Sequence, residues 1–163
     1  MAIRNIRTYG DEILTKRAKE VEEIDERTKE LIEDMIETLH KNNGVGLAAP
    51  QVGVLKRIIV IDIYEEGTDV FVLINPEIIK TKGEQTVEEG CLSFPNQFAK
   101  IVRPAEVTVK ALDKDGKKVK LVGKDLLAQV LSHEIDHLNG ELFIDKIIPG
   151  TLETVKPEDE KKM

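Results

Sequence analysis

The chain has 163 residues, with 31 acidic against 24 basic side chains, a formal net charge of −7 and a single cysteine. One cysteine excludes an internal disulfide framework, and the length suits one domain able to bury most of its apolar surface. An acidic total opposes broad capture of nucleic acid or of anionic membrane, and no apolar run approaches the roughly 20 residues of a membrane span.

The first ten residues have no apolar core and lead directly to Asp11 and Glu12, so they do not read as a secretory signal, and a cytoplasmic location is expected. Residues 25–43 predict an amphipathic helix: Asp25 can cap it, Ile24 can staple it, and Leu31, Ile32, Met35, Ile36 and Leu39 recur at helical spacing. Asn43-Gly44 stops it. The segment from Gly44 to Gly53 reads as a tight loop whose small residues permit close backbone approach; it lacks the Gly-Lys-Ser/Thr ending of a phosphate loop. Arg57 to Ile63 is a β-branched run and hence a strand, and Val70 to Ile74 is a second, closed by Asn75-Pro76. Gln85-Thr86-Val87 is strand-like. Glu106 to Leu112 alternates, Asp113 to Gly116 is a turn signal, and Lys117 to Val122 returns as the second arm of a hairpin. A second helix is expected from about Lys124 to Asn139, stopped by Gly140. Strands and helices do not alternate regularly, which predicts an α+β single domain over residues 1–155, with antiparallel or mixed sheets around one buried late helix. Residues 156–163 are polar and read as a frayed tail.

The late helix contains His133-Glu134-Ile135-Asp136-His137, an H-E-x-x-H pattern. At about 100° per residue the two histidines lie only about 40° apart, so both imidazoles can reach one metal ion. Glu134 lies about 100° from His133, placed to reach a water on that ion without being a ligand. Leu126 and Val130 fall on the histidine side, whereas Leu127, Leu131, Ile135 and Leu138 gather on another. The helix is therefore apolar on two faces and should be buried, with the metal beside an apolar wall.

A catalytic metal site generally has three protein ligands and an open position. Phe143 stands where a metzincin would place a third histidine, and the glutamates available to a thermolysin-like arrangement, Glu153 and Glu158, lie near or inside the polar tail. The remaining soft donor is Cys91. Alone it would read as a small buried hydrophobe; beside two histidines at metal spacing it becomes a candidate thiolate ligand. An H-E-x-x-H metallopeptidase and a purely structural metal site stay open as alternatives at this point. In the glycine-rich segment, the Gln51 amide could donate to an oxyanion. His40 sits where it meets the dipole of the first helix rather than a metal, and the lysines from Lys114 to Lys120 read as a solvated hairpin.

Three segments in order, Gly44-Val45-Gly46-Leu47-Ala48-Ala49-Pro50-Gln51, Glu89-Gly90-Cys91-Leu92-Ser93 and His133-Glu134-Ile135-Asp136-His137, closely resemble the peptide deformylases. The resemblance implies removal of the formyl group from formyl-methionine at the N-terminus of nascent polypeptides, with release of formate. It implies an α+β fold with the H-E-x-D-H helix at its centre, and Cys91, His133 and His137 as ligands of one divalent metal, Fe(II) first, with Zn(II), Ni(II) or Co(II) as substitutes. Glu134 would be the general acid/base, and Gln51 with the backbone N–H of Leu92 would hold the oxyanion. Val45, Val87, Leu126 and Val130 would form the methionine pocket, and the backbones of Val45, Gly46 and Gly90 would meet the peptide. The ribosome near its exit tunnel is the partner this activity suggests; neither sequence-specific nucleic-acid binding nor membrane binding is expected. One departure is Phe98, where several bacterial members carry an arginine that helps shape the cleft.

Overall fold

A computed structural model describes residues 2–155; the expected tail, 156–163, lies outside the described residues. Helix α1 (Glu26–Lys41) begins where the Asp25 carboxylate accepts the Thr28 N–H at 2.9 Å. Its apolar stripe, Leu31, Ile32, Met35 and Leu39, is buried. The chain leaves it through Asn43, at φ 52°, and the Gly44 N–H bonds back to the Leu39 carbonyl at 3.0 Å.

Strands β1 (Gly46–Ala48), β2 (Ile58–Ile61), β3 (Phe71–Cys91), β4 (Phe94–Leu112) and β5 (Lys118–Lys124) form a sheet in that order, and β6 (Glu153–Thr154) adds to β4. Every one of these strand pairs is antiparallel. Helix α2 (Leu126–Leu138) packs centrally against the sheet and carries the H-E-x-D-H residues. No helix among the described residues is long and apolar enough to cross a membrane.

The unbroken apolar run of β2 follows from its position. Ile59 and Ile61 pack with Leu131, Ile135 and Leu138 of α2, while Ile58 and Val60 pack with Leu31, Met35 and Leu39 of α1. A strand with helices over both faces has no solvent side and so no need to alternate. A third cluster, built on Leu14, Phe94, Ile101, Leu142 and Phe143, lies under the Cys91 end of the sheet.

Four expectations need correction. The strand expected to stop at Asn75-Pro76 continues for 21 residues to Cys91. Asn75 sits at φ 52° in a β-bulge, exchanges two side-chain hydrogen bonds with the Val21 backbone and donates its own N–H to the Arg57 carbonyl. Those partners satisfy the groups that a bulge leaves unpaired, and Pro76 is tolerated there because a bulge does not need its N–H. Second, the strand expected from Glu106 begins at Phe94, so β3 and β4 make one long hairpin. Third, the glycine-rich segment is not only a loop. Gly46–Ala48 pair with β2, and Ala49–Val52 form a 3-10 helix ending at Gly53, φ 86°. Finally, Lys124 belongs to β5, and α2 starts at Leu126.

Candidate active site

Cys91 is the last residue of β3, placed by a tight turn, Leu92-Ser93, that returns the chain to Phe94. This turn brings the cysteine against α2. Its Sγ lies 3.3 Å from His137 Nε2, which lies 3.2 Å from His133 Nε2. Among the described residues these three form the only group of three or more potential ligands whose donor atoms converge, all within 4.8 Å of one another. Glu153 is exposed on β6 and does not join this group, and Glu158 lies outside the described residues.

The surroundings suit a cation. His133 Nδ1 lies 2.6 Å from Glu89 Oε2, which fixes the proton on Nδ1 and turns the Nε2 lone pair toward Cys91 and His137. Burial alone would lower the basicity of His133, but the charges of Glu134 and Cys91 and the bonds to Cys91 and Glu89 raise it well above the usual value. A field that holds a proton there favours any positive ion at the same place. Burial, then the charge of His133, push His137 well below the usual range, so it is a neutral donor. Two imidazoles and a thiol suit a borderline or soft transition ion, not magnesium or calcium.

Glu89 is itself held. Arg103 meets it through Nε at 3.1 Å and Nη2 at 2.6 Å, and the remaining Nη1 reaches Asp136 at 2.7 Å. Lys146 closes the chain on Asp136 at 3.0 Å. Burial works against the Glu89 carboxylate, yet the bonds from His133 and Arg103 prevail and bring it to about 2. No local sequence pattern marks Arg103 or Asp136 for this role. The available signal was Arg103 itself, a cation beside the apolar Ile101-Val102.

Glu134 is buried, with Oε2 3.9 Å from His133 Nε2 and Oε1 without a hydrogen-bond partner among the described residues. Burial raises its carboxyl to about 7. Strand β1 passes directly over it: a Cβ on Gly46 would lie 2.6 Å from Glu134 Oε2 and 2.8 Å from Val130 Cγ1, so only glycine fits. Gln51 is buried behind the triad. Its Oε1 accepts the Ala48 N–H at 2.9 Å, while its Nε2 donates to Ser93 Oγ at 3.0 Å and points at Cys91 Sγ at 3.5 Å.

A cavity of about 780 Å³ opens onto Cys91, His133 and Glu134; Gln51 and His137 lie behind its lining. Val45, Gly46, Gly90, Cys91, Leu92, Leu126, Val130, His133 and Glu134 all line it. Val87 does not; it packs instead toward the Phe94 and Ile101 cluster beneath Cys91. Phe98 also lines the cavity, with its ring so close to Gly90 that a Cβ there would sit 2.8 Å from it.

The polypeptide deformylase family model matches residues 3–152. The chain belongs to that family. It is 57% identical over 148 residues to the peptide deformylase of Acetivibrio thermocellus, a match covering 91% of this chain and 85% of the relative. With the peptide deformylase of Lachnoclostridium phytofermentans it shares 50% identity over 162 residues, 99% of each chain. The crystal structure of the Thermotoga maritima peptide deformylase superimposes with a TM-score of 0.87 at 45% identity, covering 91% of this chain and all of that one. This deformylase is a metal-dependent hydrolase that removes the N-formyl group from nascent polypeptides. The third potential ligand beside the H-E-x-x-H pair is a cysteine, unlike the arrangements expected of the metallopeptidase alternative.

Proposed function

We propose that Cys91, His133 and His137 hold one divalent ion, Fe(II) first and Zn(II), Ni(II) or Co(II) as substitutes, and that the cavity beside them receives formyl-methionine. The convergence of three donor atoms beside the buried, unpaired Glu134 oxygen carries this reading. When bound, the ion supplies Lewis acidity, polarising the formyl carbonyl and making water nucleophilic near neutral pH.

The remaining work belongs to the chain. Glu134 takes the proton of the attacking water and returns it to the departing amine; its burial, which raises the carboxyl, favours the protonated form it must pass through. The Gln51 amide, which points at Cys91 Sγ, would meet the oxyanion beside that sulfur, with the Leu92 N–H as a second donor. Gln51 costs little reorganisation in this role, because Ala48 and Ser93 already fix its side chain. Val45, Leu126 and Val130 wall the methionine side chain, and Gly46 and Gly90 leave the peptide backbone room to approach.

Formylated nascent chains place the reaction in the cytoplasm near the ribosomal exit tunnel; co-sedimentation of the protein with ribosomes tests that location, and its absence at low salt opposes it. The activity itself is tested anaerobically with Fe(II)- or Ni(II)-loaded protein and a formyl-Met peptide. Formate release is expected. No release with the metal confirmed bound would overturn the reading.

A further inference from the structure

Tyr64 stands outside the reaction centre in an unusual conformation. Its φ is 55°, a left-handed value that a bulky aromatic residue rarely adopts. Three interactions hold it. Its N–H donates to Asp62 Oδ1 at 2.8 Å, its hydroxyl donates to the Gly44 carbonyl at 2.7 Å, and its ring lies 6.1 Å from that of His40. The other Asp62 oxygen is bound by His40 Nε2 at 2.8 Å, and the Asp62 N–H donates to the Val45 carbonyl at 2.9 Å. The tyrosine and aspartate thus grip two successive carbonyls, those of Gly44 and Val45. Burial, then the Asp62 charge, raise the Tyr64 phenol above its usual value, which keeps the hydroxyl a donor throughout the neutral range.

Gly44, Val45 and Gly46 form one wall of the cavity. The Gly44 N–H is held by the Leu39 carbonyl and Gly46 lies against Val130 and Glu134, which leaves the carbonyls of Gly44 and Val45 to be held from outside. Gly44 and Gly46 carry no side chain, and β1 pairs with β2 over only three residues. A strained tyrosine whose hydroxyl reaches back 20 residues to this wall is the kind of outlier that surrounding structure must over-determine.

We propose that Tyr64, oriented by Asp62 and His40, is a positioning residue for the peptide part of the substrate: it fixes the Gly44–Gly46 wall along which the chain beyond methionine lies. The proposal rests on the deformylase reading of the cavity. It assigns Tyr64 no contact with the formyl group.

Tyr64→Phe removes one oxygen at an exposed site, so the variant should fold. For a formyl-Met tripeptide its KM should rise about three- to tenfold with kcat within a factor of two, the scale expected for one hydrogen bond. Formyl-methionine amide lies along far less of the wall, and its KM should move less than twofold. Metal content should not change. An unchanged tripeptide KM, or an equal rise for both substrates, would overturn the proposal. Amide hydrogen exchange across residues 44–46 gives a reading independent of catalysis: it should quicken several-fold in Tyr64→Phe, and unchanged exchange also counts against the role. If the unsubstituted protein released no formate while exchange responded as expected, the deformylase reading would fail and the wall's dependence on Tyr64 would stand.

Discussion

The two faces of α2 are both buried, yet they are buried in different ways. Leu131, Ile135 and Leu138 lie in the core cluster with Ile59, Ile61, Val107 and Val109. They are held by area and by close packing, which have no preferred direction. About a third of a turn away, His133 is held by directional partners, Glu89 and then Arg103, Asp136 and Lys146 in sequence behind it, while His137 Nε2 faces Cys91 and His133. One helix therefore carries stability on one side and chemistry on the other, and substitutions on the two sides should separate the two properties.

The largest effect is expected at Glu134. Glu134→Gln keeps the shape and removes the proton carrier, so the rate should fall about 10²–10⁴-fold. Metal content should be retained, and the melting temperature should not drop, because the change removes a charge that burial already disfavours. Formate release, elemental analysis and calorimetry on one preparation check all three; full turnover would remove Glu134 from the acid/base role. Gln51→Ala follows, with about 10²–10³ lost in kcat if its amide holds the oxyanion. This variant also leaves the buried Ala48 N–H without its acceptor, so some stability goes with the rate.

Leu131→Ala, on the opposite face, should give the complementary result. It is expected to cost about 2–5 kcal/mol of stability through the cavity it leaves. The kcat per folded, metal-loaded molecule should stay within a factor of two. Denaturant unfolding beside a formate assay measures both. A large fall in kcat at this position would mean that the two faces are mechanically coupled and that their separation is false.

What the sequence revealed divides along the same line. The helix and its two faces were legible because periodicity is local: His133 and His137 lie four apart, and Leu131, Ile135 and Leu138 recur at the same spacing. Cys91 lies 42 residues before His133, and no local pattern connects them; it was reached only because the chain has no other soft donor and because three motifs matched a family. The continuation of β3 through Asn75-Pro76 was not legible. It depends on Val21 and Arg57, distant residues that satisfy the bulge. Val87, expected in the pocket, packs beneath it, since strand alternation tells which face a residue occupies but not which neighbour covers that face. Arg103 was missed for the reverse reason: its partners, Glu89 and Asp136, come from another strand and from the helix.

That missed network supplies the smallest and most discriminating test. Glu89→Gln keeps a hydrogen-bond acceptor for the His133 Nδ1 proton but removes the negative charge that makes the imidazole a better donor. Arg103 would retain Asp136, so the network should lose strength without collapsing. Metal affinity, measured by competition with a chelator, should weaken about 10- to 100-fold. With saturating metal, most of the rate should return, because Glu134 and Gln51 are untouched. If affinity were unchanged while stability fell, Glu89 and Arg103 would belong with the apolar face, as packing groups that happen to be charged. If affinity fell and stability held, the polar face would extend one shell beyond the ligands, into residues that look like ordinary strand charges when read in sequence.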